Sequence, residues 1–362
     1  MRRTLLSLLL VGGCAHSEPF ADPAHPPLDR PFQDAQPLQL TYSIGLDEWP
    51  SWSPDERRVY YGAQDPANER DACLASLPAT GGTATALQCP ASGTDGLTVV
   101  FENPASDGTR LAWVQSVARA DAQARPAWSL WIKPLAPAGA PTLVQQYPVS
   151  APGGAVIDLP RFLQWLRPGV LLYLGSQSLG CCGAEALQVG QQVGLLDLTG
   201  PAPVSTFVPG TVRATAVSGT SDGLAIVYTL QGDSLVYRRV LATGLLDTLH
   251  NFGSGHIARD PVLRGTTLAA LVDGFIRLDT FPPYGEAWVD QGGQLNLVDL
   301  GTHTATQVED LKHWWRHLRP SLDGNRLLAE GYPYEIRTIT IGPNTFITDT
   351  VISPLSDIWL WQ

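Results

Sequence analysis

One unit recurs along this chain, and it constrains the fold more than any other feature. "EWPSWSPDERRVYYGA" (48–63) runs from an anchor proline through a Ser/Asp turn into a short apolar strand. "ENPASDGTRLAWVQS" (102–116) and "LRPSLDGNRLLAEGY" (318–332) repeat that order. "DLPRFLQWLRPGVLLYLGS" (158–176) and "ARDPVLRGTTLAALVDG" (258–274) echo it more weakly, and "TAVSGTSDGLAIVYTL" (215–230) keeps the turn and strand without the proline. The anchors are Pro50, Pro104, Pro160, Ala216, Pro261 and Pro320, separated by 54, 56, 56, 45 and 59 residues. A third strand ends each unit in stretches such as "VGLLDLTG" and "LNLVDLGT", and a fourth leads to the next anchor. A four-stranded sheet cannot bury both faces alone. Neighbouring sheets stacked in a ring solve that and protect the edges. The expected fold is all-β: a six-bladed β-propeller of four-stranded antiparallel blades.

Composition agrees. The 362 residues include 35 Gly and 30 Pro but only 16% charged side chains, which favours short strands and tight turns over long helices. The formal net charge is -11 and no basic run exists, so nucleic acid is not an expected partner.

The chain begins with Arg2 and Arg3, an apolar stretch at 5–11, and "VGGC" ending at Cys14. That stretch is too short to span a bilayer. The pattern resembles a bacterial lipoprotein signal with its lipobox. The resemblance implies cleavage after residue 13, a lipid at Cys14 and attachment to the membrane through that lipid. Without an Asp at position 15 it also implies the outer membrane, facing the periplasm or the cell surface. The plainer reading is an ordinary secretory signal. Residues 14–37 carry prolines at 19, 23, 26, 27, 31 and 37, the composition of a semi-rigid tether. The propeller is expected over 38–362.

Four further cysteines remain. A hairpin turning at Gly81 and Gly82 would set Cys73 opposite Cys89 at disulfide distance. Cys181 and Cys182 are adjacent, and suit a vicinal disulfide, free thiols or a metal.

The repeats resemble those of the TolB-type β-propeller family. "LTYSIGLDEWPSWSPDERRVYY" (40–61) follows that pattern closely, with Glu56 where the family usually has Gly. The likeness is strong in units one and six, moderate in two and weak in three to five. It implies that residues 38–44 form an outermost strand. "SDIWLWQ" (356–362) resembles the third strand of a repeat, so the N-terminal strand would complete the last blade beside it. Residues 335–353 would then be an inserted hairpin, or would supply the last two strands themselves.

Candidate chemistry is sparse. "GTSDG" (219–223) fits a nucleophile elbow, but it aligns with the hairpin turns of other units, and Asp-Gly needs no catalysis to explain it. No residues are left over for a hydrolase domain beside the propeller. His250, His256, His303, His313 and His317 do not recur at matching positions, and neither a calcium loop nor a dinucleotide fingerprint is present. No metal or cofactor is expected. "KHWWRH" (312–317) is the densest aromatic-polar stretch. His313, Trp314, Trp315, Arg316 and His317 read either as packing between blades or as a partner surface.

The residue two before each anchor is expected near one channel mouth. This gives Glu48, Glu102, Asp158, Ala214, Arg259 and Leu318, with Arg213 and His317 one step back. Acids would then line blades one to three and bases four to six, a field able to orient a peptide or zwitterion. The expected function is a monomeric, non-catalytic envelope lipoprotein binding a protein or peptide at one propeller face. The alternative is a periplasmic lyase or hydrolase that works on carbohydrate in the channel.

Overall fold

A computed structural model describes residues 37–362, apart from 43–44, 66–67, 91–96, 120–126, 136–138, 155, 179–187, 274–275, 282–284, 291–292, 309–312, 343–344 and 353–354. Cys14, the segment before it, and Cys181 and Cys182 lie outside the described residues.

Six antiparallel sheets form the blades of a β-propeller. Blade 1 consists of strands Asp47–Trp52, Arg58–Asp65, Asn68–Pro78 and Thr85–Gln88. Blades 2, 3 and 4 follow with first strands Leu97–Ser106, Leu159–Arg167 and Ala214–Gly219. Blade 5 begins at Ala258–Arg264 and blade 6 at His313–Pro320. The second strand of blade 6, Leu327–Gly342, pairs with the C-terminal strand Asp357–Trp361, which pairs with Leu38–Gln39. Leu38 faces Leu360 and Gln39 faces Trp359, so the chain's two ends close the ring as the repeat register predicts.

The core divides into six clusters, one at each blade interface. Blades 1 and 2 share Tyr60, Leu74, Phe101 and Trp113. Blades 2 and 3 share Val114, Trp128, Leu163 and Tyr173, and blades 3 and 4 share Phe162, Leu174, Val217 and Tyr228. The remaining clusters join blades 4–5, 5–6 and 6–1. Every blade therefore buries both faces, and the alternating apolar residues of each strand are spent on two neighbours rather than one.

Connections sort onto the two ends of the ring. In an antiparallel blade the first and third turns share one end, while the second turn and the link to the next blade share the other. The first end carries short Ser/Thr-Asp turns. The Ser53 hydroxyl donates to Asp55 at 2.6 Å, and Thr220 to Asp222 and Ser321 to Asp323 repeat the device. "GTSDG" is one of these hairpin turns, between strands Ala214–Gly219 and Ala225–Leu230. The opposite end carries three inserted hairpins among the described residues. They are Val149–Ser150 with Val156–Ile157, Ile276–Phe281 with Gly285–Asp290, and the extension of Leu327–Gly342 with Thr345–Ile352. Cys73 and Cys89 are joined by a disulfide across the third and fourth strands of blade 1, 4.3 Å apart at Cα, after a turn in which Gly81 and Gly82 both take positive φ.

Candidate functional site: a plugged channel below a charged mouth

Each first strand breaks its ladder at an equivalent place. In five blades two residues oppose one, as in a β-bulge: Trp49-Pro50, Asn103-Pro104, Phe162-Leu163, Asp260-Pro261 and His317-Leu318. In blade 4 the extra residue is Thr215. The first residue of each of the five pairs has positive φ, between 42° and 57°, although none is glycine. That conformation is held from outside. The Phe162 N–H donates to Asn103 Oδ1 of the preceding blade at 2.7 Å, and the His317 N–H donates to Asp260 Oδ2 at 2.7 Å. At the closure of the ring, the Trp49 N–H donates to Glu330 Oε1 of blade 6. A bulge side chain or a neighbouring carboxylate thus satisfies the next blade's kinked backbone.

The bulges aim large side chains at the channel axis. Trp49 stacks on His317 with ring centroids 3.3 Å apart, and Phe162 meets both edge-on at 5.6 and 5.7 Å. These three come from blades 1, 6 and 3, so they plug the channel from different sides. The guanidinium of Arg161 lies over Trp49 at 4.9 Å, and that of Arg319 over Phe162 at 5.2 Å.

Within the plug, the His317 Nδ1–H donates to Glu330 Oε1 at 2.6 Å, and Nε2 is 3.4 Å from an Arg161 guanidinium nitrogen. Glu330 is fully buried and His317 is 2% exposed. Burial pushes the His317 imidazole well below its usual range, and Arg316, Arg161 and Arg319 push the same way. The ring is therefore neutral, with its Nδ1 proton on the Glu330 side and Nε2 accepting from Arg161. Arg319 is lowered to about 10 by burial, against the pull of Asp260 and Glu330, and stays charged at neutral pH.

The bulges also fix which residues stand at the mouth. The residue just mouthward of each bulge is Glu48, Glu102, Arg161, Ala214, Arg259 and Arg316. The sequence-predicted ring is thus corrected at two blades. Asp158 and Leu318 do not share the register; Arg161 and Arg316 do. Asp158 is buried before the first strand of blade 3, its N–H donating to the Ser176 carbonyl at 3.1 Å. Arg213 is exposed beside Ala214 at the mouth end. Two acids on adjacent blades 1 and 2 therefore face arginines on blades 3, 5 and 6. Glu102, Arg259 and Arg316 are buried, and Glu48 and Arg161 half-buried. The Tyr332 hydroxyl donates to Glu48 Oε1 at 2.8 Å and accepts from Arg316 at 3.3 Å, bridging blades 6 and 1.

The aromatic stretch at 313–317 is an innermost strand, not a surface. Trp315 is fully buried between blades 5 and 6, and Arg316 and His317 are buried in the channel. His313 stacks on Trp315 at 5.3 Å, and Trp314 lies 5.4 Å from Tyr334. A partner does not meet Trp315 from outside. Among the described residues no three metal-ligating side chains gather. Sequence reasoning missed Trp49, Phe162, Asp260, Glu330 and Tyr332. Trp49-Pro50, Asn103-Pro104 and Asp260-Pro261 carried a signal, since a proline needs no N–H and suits a bulge.

No protein-family model matches the chain, and no curated protein does. Solved structures with similar propellers exist. A TolB from Acinetobacter baumannii is 13% identical at a TM-score of 0.48, over 86% of this chain and 65% of that one. An oligogalacturonate lyase in complex with manganese is 15% identical at 0.47, over 90% and 79%. YCF48 from Cyanidioschyzon merolae is 10% identical at 0.48, over 91% and 99%. The likeness is one of fold.

Proposed function

We infer that the protein is a non-catalytic binding module that receives a segment of a protein or peptide partner at its mouth end. The carrying observation is the division of labour in the channel. The His317–Glu330 pair has the composition of an acid–base device, yet both side chains are buried and their hydrogen bonds serve the ring closure. The charges just mouthward of the bulges are arranged differently: acids on blades 1 and 2, arginines on blades 3, 5 and 6. Such a field orients a ligand carrying both signs. Insertions that share one face of a repeat fold commonly mark its binding side, and the three hairpins leave from this end. The lipobox-like segment ending at Cys14 supports a lipid-anchored protein of the bacterial envelope, and the Cys73–Cys89 disulfide suits an oxidising compartment.

The test is photo-crosslinking in the native host. A photoreactive residue is placed at Asn68, Val156 or Arg213 on the mouth end, and at Leu224 or Leu322 on the turn end. Discrete adducts from the mouth positions alone are expected. Adducts confined to the turn end, or none from any position, would overturn the reading.

A further inference from the structure

A cavity of about 90 Å³ opens at the mouth end between blades 1 and 2. Its polar lining is Glu48, Gln64 and Asp71, and Leu46, Val100 and Phe101 give it an apolar wall. Among the described residues no Lys, Arg or His lines it. Asp71 is 5% exposed and held in place: Oδ1 accepts from the Val99 N–H of blade 2, and Oδ2 from the Asn68 amide at 2.7 Å. Glu48 is steadied by the Tyr332 hydroxyl. The cavity is also sterically kept. A Cβ at Gly62 would meet the Phe101 carbonyl oxygen at 2.5 Å, so only glycine lets blade 2 come close enough to form this wall.

We propose that this cavity binds a primary ammonium group carried on a short alkyl stem. The proposal rests on the mouth reading above and names what the acidic side of the mouth recognises. Two fixed carboxylates and a carboxamide match the three donors of an ammonium, and the apolar wall covers the methylenes behind it. A carboxylate ligand would meet two like charges. The volume takes the end of a side chain rather than a whole residue, so the ammonium is a lysine tip or a free amino terminus.

The test is ligand-observed NMR on the full chain with n-butylammonium, and n-butanol as the uncharged control. Saturable binding of the ammonium, at least about tenfold stronger than the alcohol, is expected. Glu48→Gln keeps the acceptor for Tyr332 and should weaken binding about tenfold. Ala72→Leu fills the cavity with both carboxylates intact and should abolish it. Equal binding of the alcohol, or unchanged ammonium binding in Ala72→Leu, would overturn the proposal. Model peptides with Lys replaced by norleucine, or with an acetylated amino terminus, identify which ammonium is used. Mouth-end crosslinking in these variants separates the two claims. Butylammonium that never binds while partner adducts persist refutes the cavity alone. Butylammonium that binds without any mouth adduct supports the cavity and refutes the mouth reading.

Discussion

Blades 4 and 6 perform the same structural task with different chemistry. Blade 4 is one continuous piece of chain with four strands of six residues each. Its bulge is the single Thr215, between Ala214 and Ala216, and the Thr215 hydroxyl shares a contact with that of Thr229 at 3.0 Å. Blade 6 is assembled from both ends of the molecule, and its outermost strand is only Leu38–Gln39. At its bulge His317 takes positive φ, tied on one side to Asp260 and on the other to Glu330, which also holds Trp49. Between consecutive blades such ties come singly, as from Ser218 to the Pro261 carbonyl, and from the His317 N–H to Asp260. At the closure one buried carboxylate, Glu330, takes two of them, from the Trp49 N–H and from His317.

The largest expected effect is therefore at Glu330. Glu330→Ala leaves the Trp49 N–H and the His317 Nδ1–H buried without an acceptor and removes a partner of Arg319. A loss of about 3–5 kcal/mol is expected by denaturant titration. Thr215→Ala in blade 4 should cost under about 0.5 kcal/mol in the same assay. Similar losses for both would break the comparison.

Blade 4 has its own weak point, and it is steric. Gly223 takes φ +67°, and a Cβ there would lie 2.3 Å from the Leu166 carbonyl oxygen of blade 3. Gly223→Ala should cost about 2–4 kcal/mol from the left-handed backbone and the clash together. A cost below about 1 kcal/mol would mean that blade 4 is not seated on blade 3 as tightly as its turn suggests.

How much of this was legible follows the same division. The ring, its six blades and its closure at Leu38 could be read because apolar alternation and Ser-x-Asp turns are local patterns. The bulges were legible only in part, because at Trp49, Phe162 and His317 their conformation is held by side chains of the preceding blade. Proline marked the bulge in blades 1, 2 and 5. In blades 3 and 6 leucine fills that place, and the prolines sit elsewhere: Pro160 opposite Gly175, and Pro320 opposite Leu327. Following proline therefore shifted the mouth by three residues at blade 3 and by two at blade 6. That shift exchanged Asp158 for Arg161 and Leu318 for Arg316. Residues 313–317 read either as packing between blades or as a partner surface because aromatic and polar side chains are mixed there, and the burial of Trp315, Arg316 and His317 favours packing.

The neutral His317 predicts an acid sensitivity at the closure, to which His250 in blade 4, also lowered by burial, adds in the same direction. The folded-state pKa of His317 lies below the unfolded value, so below pH about 6.5 the unfolded chain takes up a proton that the folded chain refuses. Stability should fall as pH drops through that window, with a slope approaching about 1.4 kcal/mol per pH unit for one proton. The turn aspartates act lower. Asp222, held below the usual carboxylate range by the Thr220 hydroxyl and the Leu224 N–H, gives up its contribution only below pH about 4. Denaturant midpoints from pH 7.5 to 5 should flatten in His317→Gln, whatever its absolute stability. An unchanged slope would assign the sensitivity to another group.

The smallest effect sharpens the comparison most, because it sits at the closure but on the surface. Glu56 has φ 56°, a conformation that costs any residue but glycine. Its carboxylate accepts from Arg326 and, at 3.0 Å, from the Asp323 N–H, and Arg326 in turn lies over Trp52 at 4.6 Å. Blade 1 thereby grips the turn of blade 6. Glu56→Ala keeps the backbone strain and removes the grip, and should cost about 1–1.5 kcal/mol. Glu56→Gly removes both, and should cost about 0.5 kcal/mol less than the alanine variant, because relief of the strain offsets part of the lost ion pair. If glycine proved more stable than the native glutamate, the grip would contribute less than the strain it imposes, and the closure would rest on the buried Glu330 ties, the Leu38–Gln39 pairing and the core between blades 6 and 1.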